Sequence, residues 1–206
     1  MLEPKYRVLR AFLLNPWAEK YAKEIEDDAE VSHERALHYL DLLSKERVLH
    51  RQTRGKQVFF SINKENESAI KLLALLEFER KAGFLAATPY GPMTYKLFQT
   101  LKAASNGTIA FALLYGSAAR KQATPSSDID LLIATNKNGK ANERLKANVK
   151  LLEREFNYSL SPTVISLCEL SRNWHTQPIY KSIWKDRVVL LGEEGFWEFI
   201  LSQGEP

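Results

Sequence analysis

The sequence has too few cysteines for a disulfide-stabilised protein and too short apolar runs for a membrane-spanning one. Among its 206 residues there is one cysteine, Cys168, so no disulfide can form within the chain. No apolar run approaches the roughly 20 residues that cross a bilayer as a helix. Residues 1–5 contain no apolar signal core. We therefore expect a protein of a reducing compartment, located in the cytoplasm and without membrane contact.

A large excess of charge of one sign is also missing. The 29 lysines and arginines outnumber the 25 aspartates and glutamates by only four, and the pI is about 9.0. This balance is compatible with nucleotide or nucleic-acid partners but does not require them. Hydrophobic residues make up 45% and charged residues 26% of the chain, which is ordinary for a folded protein of one or two domains.

The stretch from Leu113 to Ile133 contains the residues with the clearest chemistry. An apolar run ends at Tyr115 and is followed by Gly116-Ser117, which predicts a tight turn from a strand into a helix. Ser117 can cap that helix, whose first N–H groups favour an anion. Asp128 and Asp130 flank one isoleucine at the start of the next apolar run, so both carboxylates face one side of a strand. Two carboxylates beside a phosphate-binding turn form half of a Mg²⁺ site.

These two elements, with ten residues between Ser117 and Asp128, resemble the nucleotidyltransferase superfamily that includes DNA polymerase beta, and most closely its small prokaryotic members. The resemblance implies that Gly116 and Ser117 bind the triphosphate of an NTP, with ATP as the expected donor. It implies that Asp128 and Asp130 bind Mg²⁺ and carry the catalysis. The implied reaction transfers a nucleoside monophosphate to a hydroxyl group. The acceptor stays open between a protein tyrosine, as on a toxin partner, a small molecule and a nucleic acid 3′ end.

Further residues of this motif match the family in part. Arg120 stands where the family commonly has a basic residue, and Lys121 stands where it often has glycine. We expect both to bind the nucleotide phosphates, with a solvated helix face as the alternative. The third carboxylate of the family falls on Thr163, which cannot act as a base or as a charged ligand. Glu153 or Glu155 of the preceding helix is the alternative source of a third acid.

Residues 1–64 resemble a winged helix-turn-helix domain. Three helical patterns and two short strands follow one another at 5–14, 17–25, 32–46, 48–50 and 57–62. Arg47 stands where this family often has glycine after the third helix. The resemblance implies that the third helix enters a DNA groove and that the hairpin contacts the backbone. The expected DNA contacts are Ser32, His33, Arg35, His38, Arg51, Arg54 and Lys56. Acidic residues between positions 19 and 34 favour the alternative that this domain binds a protein.

The remainder of the chain alternates between strand and helix patterns. We predict helices at 93–104, 141–156 and 175–185, and strands at 162–167 and 188–191. The expected fold class is α/β (α+β), in which a mixed sheet flanked by helices forms the nucleotidyltransferase fold. The expected domains are a winged helix-turn-helix domain at 1–65, a connector helix at 66–87 and a nucleotidyltransferase domain at 88–206.

Two questions stay open from the sequence. The amphipathic helix at 66–82 connects the domains or pairs two chains in a homodimer. The whole chain is a nucleotidyltransferase, or it is a DNA-binding transcription regulator or antitoxin-like protein whose transferase fold only binds nucleotide. The missing third carboxylate favours the second interpretation, and the intact aspartate pair favours at least the binding of Mg²⁺ and an NTP.

Overall fold

The computed structural model describes residues 3–105, 107–124, 127–136, 140–156 and 158–206. Its contacts divide the chain into two compact units. The first unit comprises Met1–Leu76 and Trp197–Glu205, and the second comprises Glu77–Phe196 and Pro206. None of the described helices is long and apolar enough to span a membrane.

The first unit combines short helices with a small antiparallel sheet. Its elements are a 3₁₀ helix at Pro4–Phe12, β1 at Lys20–Tyr21, α1 at Ala22–Ala29, α2 at His33–Lys45, β2 at Leu49–Arg54, β3 at Gln57–Ile62, the first part of α3, which spans Glu67–Ala87, and the part of the last helix from Trp197 onward. The strand order is β1-β3-β2, and both pairings are antiparallel. Leu9, Ile25 and Leu40 are completely buried. The helices and the hairpin occur in the predicted order, and their assignment to the winged-helix family stays a prediction.

The second helix of this unit differs from the one predicted at 17–25. Residues Lys20–Tyr21 pair with β3 instead of continuing a helix. The backbone N–H of Tyr21 donates to the Glu24 carboxylate at 3.0 Å, which satisfies a donor at the start of α1. The helix therefore begins at Ala22, five residues later than the apolar pattern indicated.

The residue that follows the carboxyl end of α2 has the left-handed backbone conformation that favours glycine. Arg47 has a φ of +58°, and the next N–H, that of Val48, donates to the carbonyl of Leu43 at 2.9 Å. This left-handed conformation costs a residue other than glycine about 1 kcal/mol. The side-chain amides of Asn63 and Asn66 donate to the Arg47 carbonyl at 2.8 and 2.9 Å. These two hydrogen bonds hold the strained position in place.

The second unit is built around a mixed four-stranded sheet. Its elements are the second part of α3, α4 at Gly91–Ser105, β4 at Ile109–Tyr115, α5 at Gly116–Ala119, β5 at Ile129–Thr135, α6 at Lys140–Phe156, β6 at Leu160–Ser166, α7 at Leu167–Asn173, α8 at Ile179–Asp186, β7 at Val188–Leu191 and the start of α9, which spans Glu193–Gln203. The strand order is β6-β5-β4-β7. β5 and β6 are parallel, and the other two pairings are antiparallel. The expected mixed sheet flanked by helices is confirmed.

The two faces of this sheet have different roles. On one face, Ile129, Leu131 and Ile133 of β5 pack into an apolar cluster with Leu97 of α4 and Val149 of α6. Because side chains alternate along a strand, the residues between them face the opposite side. That opposite face of β5 carries Asp130 and Leu132. On this face Leu132 is also buried, so Asp130, at the start of the strand, is the residue of β5 that is left partly accessible.

Two helices of this unit were absent from the sequence prediction. The expected helix at 175–185 is present as α8, which begins four residues later, whereas α7 and α9 were not predicted. Ser166 caps α7, because its Oγ accepts the N–H of Glu169 at 3.2 Å. The Ser-x-x-Glu spacing is a capping signature that the sequence analysis overlooked. The start of α9 follows Gly192, whose φ is +76° and whose added Cβ would lie 2.1 Å from the Ala110 carbonyl oxygen.

Candidate nucleotide site

The junction of β4, α5 and β5 brings the Gly-Ser turn against the aspartate pair. Tyr115, the last residue of β4, pairs with Asp130 across the antiparallel ladder. Gly116 follows with a φ of +71°. A Cβ added at Gly116 would lie 2.5 Å from Oδ2 of Asp130. Glycine is needed here both for the backbone conformation and for the close approach of a carboxylate.

The short helix α5 is fixed by its own hydrogen bonds and by the core. The N–H of Arg120 donates to the Gly116 carbonyl at 3.2 Å, and the N–H of Gln122 donates to the Ser117 carbonyl at 2.8 Å. Ala118 is buried in the apolar cluster of the sheet. The first N–H groups of a helix have no acceptor within the helix, so the turn at Ser117 can donate to an anion.

The two aspartates sit in different electrostatic environments. Asp128 is exposed just before β5, and Asp130 is half-buried on the strand. Burial raises the pKa of Asp130 above its ordinary value, and the negative charge of Asp128 raises it further, while the positive charge of Arg120 opposes the shift. The site therefore disfavours two bare carboxylates and favours a cation between them.

The donor set of this pair fits Mg²⁺. Carboxylate oxygens are hard ligands, and Mg²⁺ is typically held by one or two carboxylates together with substrate phosphates. In the described part of the chain, no group of three or more histidine, cysteine, aspartate or glutamate side chains could hold a metal ion. Asp128 and Asp130 thus offer two protein ligands and leave the remaining positions to other donors.

Thr163 of β6 lies on the same face of the sheet as Asp130. It pairs with Leu132 in the parallel ladder, and the next residue, Val164, packs against the apolar cluster on the opposite face. The side chain of Thr163 is hydrogen-bonded to the hydroxyl of Tyr115. The residue at the third-acid position therefore shares the sheet face of Asp130 but supplies a neutral hydroxyl.

Tyr115 is a member of this site that the sequence analysis left without a role. Burial raises the pKa of its hydroxyl, the hydrogen bond with Thr163 lowers it, and the charge of Asp130 raises it again. The pKa of a second tyrosine, Tyr180 of α8, is also raised. Its burial is the largest cause, and the charges of Glu169 and Tyr115 add to it. Tyr115 could have been found from the sequence, because the last residue of β4 must face the same side as the strand partner Asp130.

Of the two alternative acids of α6, Glu153 and Glu155, the structure describes the side chain of Glu153. The carboxylate of Glu153 accepts from Lys150 Nζ at 2.7 Å and from the backbone N–H of Leu160 at 2.6 Å. These bonds lower the pKa of Glu153, and the charge of Asp128 acts in the opposite direction. Glu153 is therefore within electrostatic range of the aspartate pair but is already engaged at the start of β6. The side chain of Glu155 lies outside the described residues.

The two basic residues after the turn, Arg120 and Lys121, differ in their surroundings. The guanidinium of Arg120 donates to the Asp186 carboxylate and to Gln122 Oε1, the latter at 3.1 Å. Lys121 is exposed and has a φ of +61°. The position where the family often has glycine thus has the left-handed conformation that favours glycine.

In the first unit, all seven expected DNA contacts are exposed. Nδ1 of His33 lies 2.6 Å from a carboxylate oxygen of Glu26. Arg54 forms an ion pair with Glu19 at 2.6 Å, and its guanidinium carbon lies 5.4 Å from the ring centroid of Phe59. Two of the seven residues are therefore held by acidic side chains at their present positions.

A comparison with known protein families gives a match within the second unit, which contains the Gly-Ser turn and the aspartate pair. Residues 96–192 match the family described as polymerase beta, nucleotidyltransferase. The match covers the whole four-stranded sheet and includes Gly116, Ser117, Asp128 and Asp130. No curated protein and no solved structure was found to match the chain. Residues 96–192 are therefore similar to a nucleotidyltransferase domain, and the family of the first unit stays a prediction.

Proposed function

We propose that the nucleotidyltransferase domain binds an NTP together with Mg²⁺ and transfers the nucleoside monophosphate to a hydroxyl group, with release of pyrophosphate. The observation that carries the proposal is the contact between Gly116 and Asp130, where an added Cβ would lie 2.5 Å from the carboxylate. A phosphate-binding turn and a metal-binding carboxylate then serve one ligand. ATP is the expected donor, and the acceptor is a protein hydroxyl, a small molecule or a nucleic acid 3′ end.

Each polar residue of the site has a role in this proposal. Ser117 and the first N–H groups of α5 bind the terminal phosphates. Asp128 and Asp130 hold Mg²⁺, which when bound neutralises charge that develops on the phosphates. Arg120 and Lys121 add positive charge beside the turn. Positioning and electrostatic stabilisation of this kind provide most of the catalysis in phosphoryl and nucleotidyl transfer.

Thr163 supports a second candidate function. Its hydroxyl is hydrogen-bonded to Tyr115 and cannot accept a proton from an acceptor alcohol at neutral pH. A domain with two carboxylates and a neutral hydroxyl at the third-acid position suits a regulator or antitoxin-like protein that binds Mg²⁺ and NTP without turnover. The same residues thus support nucleotide binding more strongly than they support transfer.

Incubation with labelled NTPs distinguishes these candidates. The purified protein is mixed with Mg²⁺ and cell lysate and with labelled ATP, GTP, CTP or UTP in separate reactions. We expect one nucleotide, ATP, to give a labelled product that the Asp128→Asn/Asp130→Asn protein does not form. Saturable binding of ATP without a labelled product would support the regulator, and absence of both would contradict both candidates.

We also propose that the first unit contacts DNA through α2 and the β2–β3 hairpin. Five basic residues and one acid lie between positions 45 and 56, at the end of α2 and along the hairpin. Such a cluster suits phosphate contacts. The ion pairs of His33 and Arg54 with acids support the alternative partner, a protein.

The hairpin residues give this proposal a direct test. Replacing Arg51 and Lys56 with alanine should weaken binding to any DNA sequence, because phosphate contacts carry no sequence information. The slope of log K against log salt should become shallower by about 0.9 per lost contact. Gel-shift titrations at several salt concentrations measure both, with Lys64→Ala just beyond β3 as the matched control. Absence of DNA binding by the parent at about 50 mM salt would favour the protein partner.

A further inference from the structure

A cleft of about 440 Å³ opens in the second unit at the carboxyl end of α5. Residues from α3, α5, α8 and β7 form its walls. The charged residues of the lining are Arg80, Arg120, Lys121, Lys185, Asp186 and Arg187. Only two of these, Arg120 and Lys121, belong to the motif that the sequence analysis singled out.

The cleft has a clear excess of positive charge. Asp186 is bound by Arg120. The buried Glu77 is shared between Arg80 at 3.1 Å and Arg187 at 3.0 Å. Five cations against these two carboxylates leave a net of three positive charges.

The two lysines of the lining contribute most to this excess. Both Lys121 and Lys185 are exposed. Within the described residues, neither has a carboxylate within ion-pair distance. Their charges are therefore available to a ligand from solution at little cost in broken protein contacts.

The cleft is separate from the turn that faces the aspartate pair. Helix α5 has four residues, so its two ends are about 6 Å apart. Gly116 at the first end touches Asp130, while Ala119 at the other end lines the cleft. A phosphate held by Lys121 and Lys185 would therefore contact the carboxyl end of α5, not the Gly116-Ser117 turn at its start. Its affinity would not require a metal ion.

Size, charge and lining together indicate the class of ligand. Lysine and arginine side chains bind phosphate oxygens through charge-assisted hydrogen bonds, and several of them around one space suit several phosphates. The aromatic residue of the lining, Phe84, is only 6% exposed and offers no surface on which a base could stack. We propose that the cleft binds an oligophosphate without Mg²⁺, at a site distinct from the Gly116-Ser117 turn. The phosphates belong to an inorganic chain or to a nucleotide.

Arg120 would exchange its present partner for the bound phosphates. Its guanidinium is held by Asp186 at the mouth of the cleft. A bound oligophosphate competes with Asp186 for Arg120. It also binds Lys185, the residue that precedes Asp186 in α8. This inference needs neither the aspartate pair nor an acceptor, but it shares Arg120 and Lys121 with the proposed nucleotide site.

Titration calorimetry with inorganic tripolyphosphate in EDTA buffer tests the inference. We expect the parent protein to bind, and Lys185→Ala to lower the affinity about tenfold through the loss of one charge-assisted contact. Lys181→Ala, an exposed lysine one turn earlier on α8 and outside the cleft lining, is the matched control and should leave the affinity unchanged. Asp128→Asn/Asp130→Asn and Ser117→Ala should still bind tripolyphosphate. Because Lys185 is exposed, its replacement should not disturb the fold.

The possible outcomes separate this site from the nucleotide site. Absence of binding by the parent, full binding by Lys185→Ala, or an equal loss in Lys181→Ala would overturn the proposal. Loss of binding in Ser117→Ala would also overturn it, because the ligand would then sit at the turn. ATP titrated in the same EDTA buffer identifies the source of the phosphates. Affinity for ATP at least equal to that for tripolyphosphate shows that the cleft accepts a nucleotide, and weaker affinity indicates an inorganic chain.

Discussion

Replacing Asp128 and Asp130 together with asparagine will abolish Mg²⁺-dependent NTP binding and leave the fold intact. Mg²⁺ prefers to share its coordination between carboxylates and substrate phosphates, so the ion and the nucleotide bind together. Changes at residues that only support metal ligands typically cost about 10–100-fold in affinity, and loss of both charged ligands should cost more. Calorimetric titration with ATP in the presence and absence of Mg²⁺ measures the effect.

The stability of Asp130→Asn follows from the raised pKa of this carboxyl. Burial and the charge of Asp128 make the folded state bind the Asp130 proton more tightly than the unfolded state does. The carboxylate therefore lowers the free energy of unfolding as the pH rises from the unfolded pKa through the folded one, and the cost remains above it. Asparagine lacks this cost, so the variant should equal the parent in strong acid and should be at least as stable at neutral pH.

A matched control distinguishes a lost site from a general loss of negative charge. Glu194 is exposed at the start of α9, and Glu194→Gln removes one carboxylate elsewhere in the second unit. This variant should bind Mg²⁺ and ATP as the parent does. If the double asparagine variant binds them equally well, the assignment of Asp128 and Asp130 as metal ligands is wrong.

The sheet that positions this site could be predicted because its signals are local. β4 is an apolar run that ends before Gly116, β5 is an apolar run interrupted only by Asp130 near its start, and β7 forms at Val188–Leu191 as predicted. Period-two alternation along the strand places Asp128 and Asp130 on one side. The family match at 96–192 covers the same elements.

Other features of the site depend on contacts between distant parts of the chain. Arg80 and Lys185 are separated by 105 positions, and no local pattern indicates that they line one cleft. The hydrogen bond between Tyr115 and Thr163 likewise depends on the register of β6 against β5. Helix α9 was missed because Gly192 looks like the end of an element, whereas its positive φ lets the chain turn against β4 and continue.

Introducing a carboxylate at Thr163 should create or greatly raise transferase activity. Thr163 shares the sheet face with Asp130, so an aspartate there can complete a set of three acids. A general base of this kind typically contributes about 10²–10⁴-fold to the rate. Thr163→Asp should also tighten Mg²⁺ binding, since a third charged ligand is added. Release of pyrophosphate from labelled ATP, measured with lysate as the source of acceptor, follows the rate.

The comparison with Thr163→Asn separates charge from shape. Asparagine has nearly the same size as aspartate but cannot take a proton from an alcohol, so the amide variant should remain as slow as the parent. If both variants gain the same transferase activity, the cause is the lost hydrogen bond with Tyr115 and not a new base. Robust activity of the parent that Thr163→Asp leaves unchanged would contradict the argument. Loss of that activity in Glu153→Gln would then identify Glu153, which lies within electrostatic range of Asp128, as the third acid.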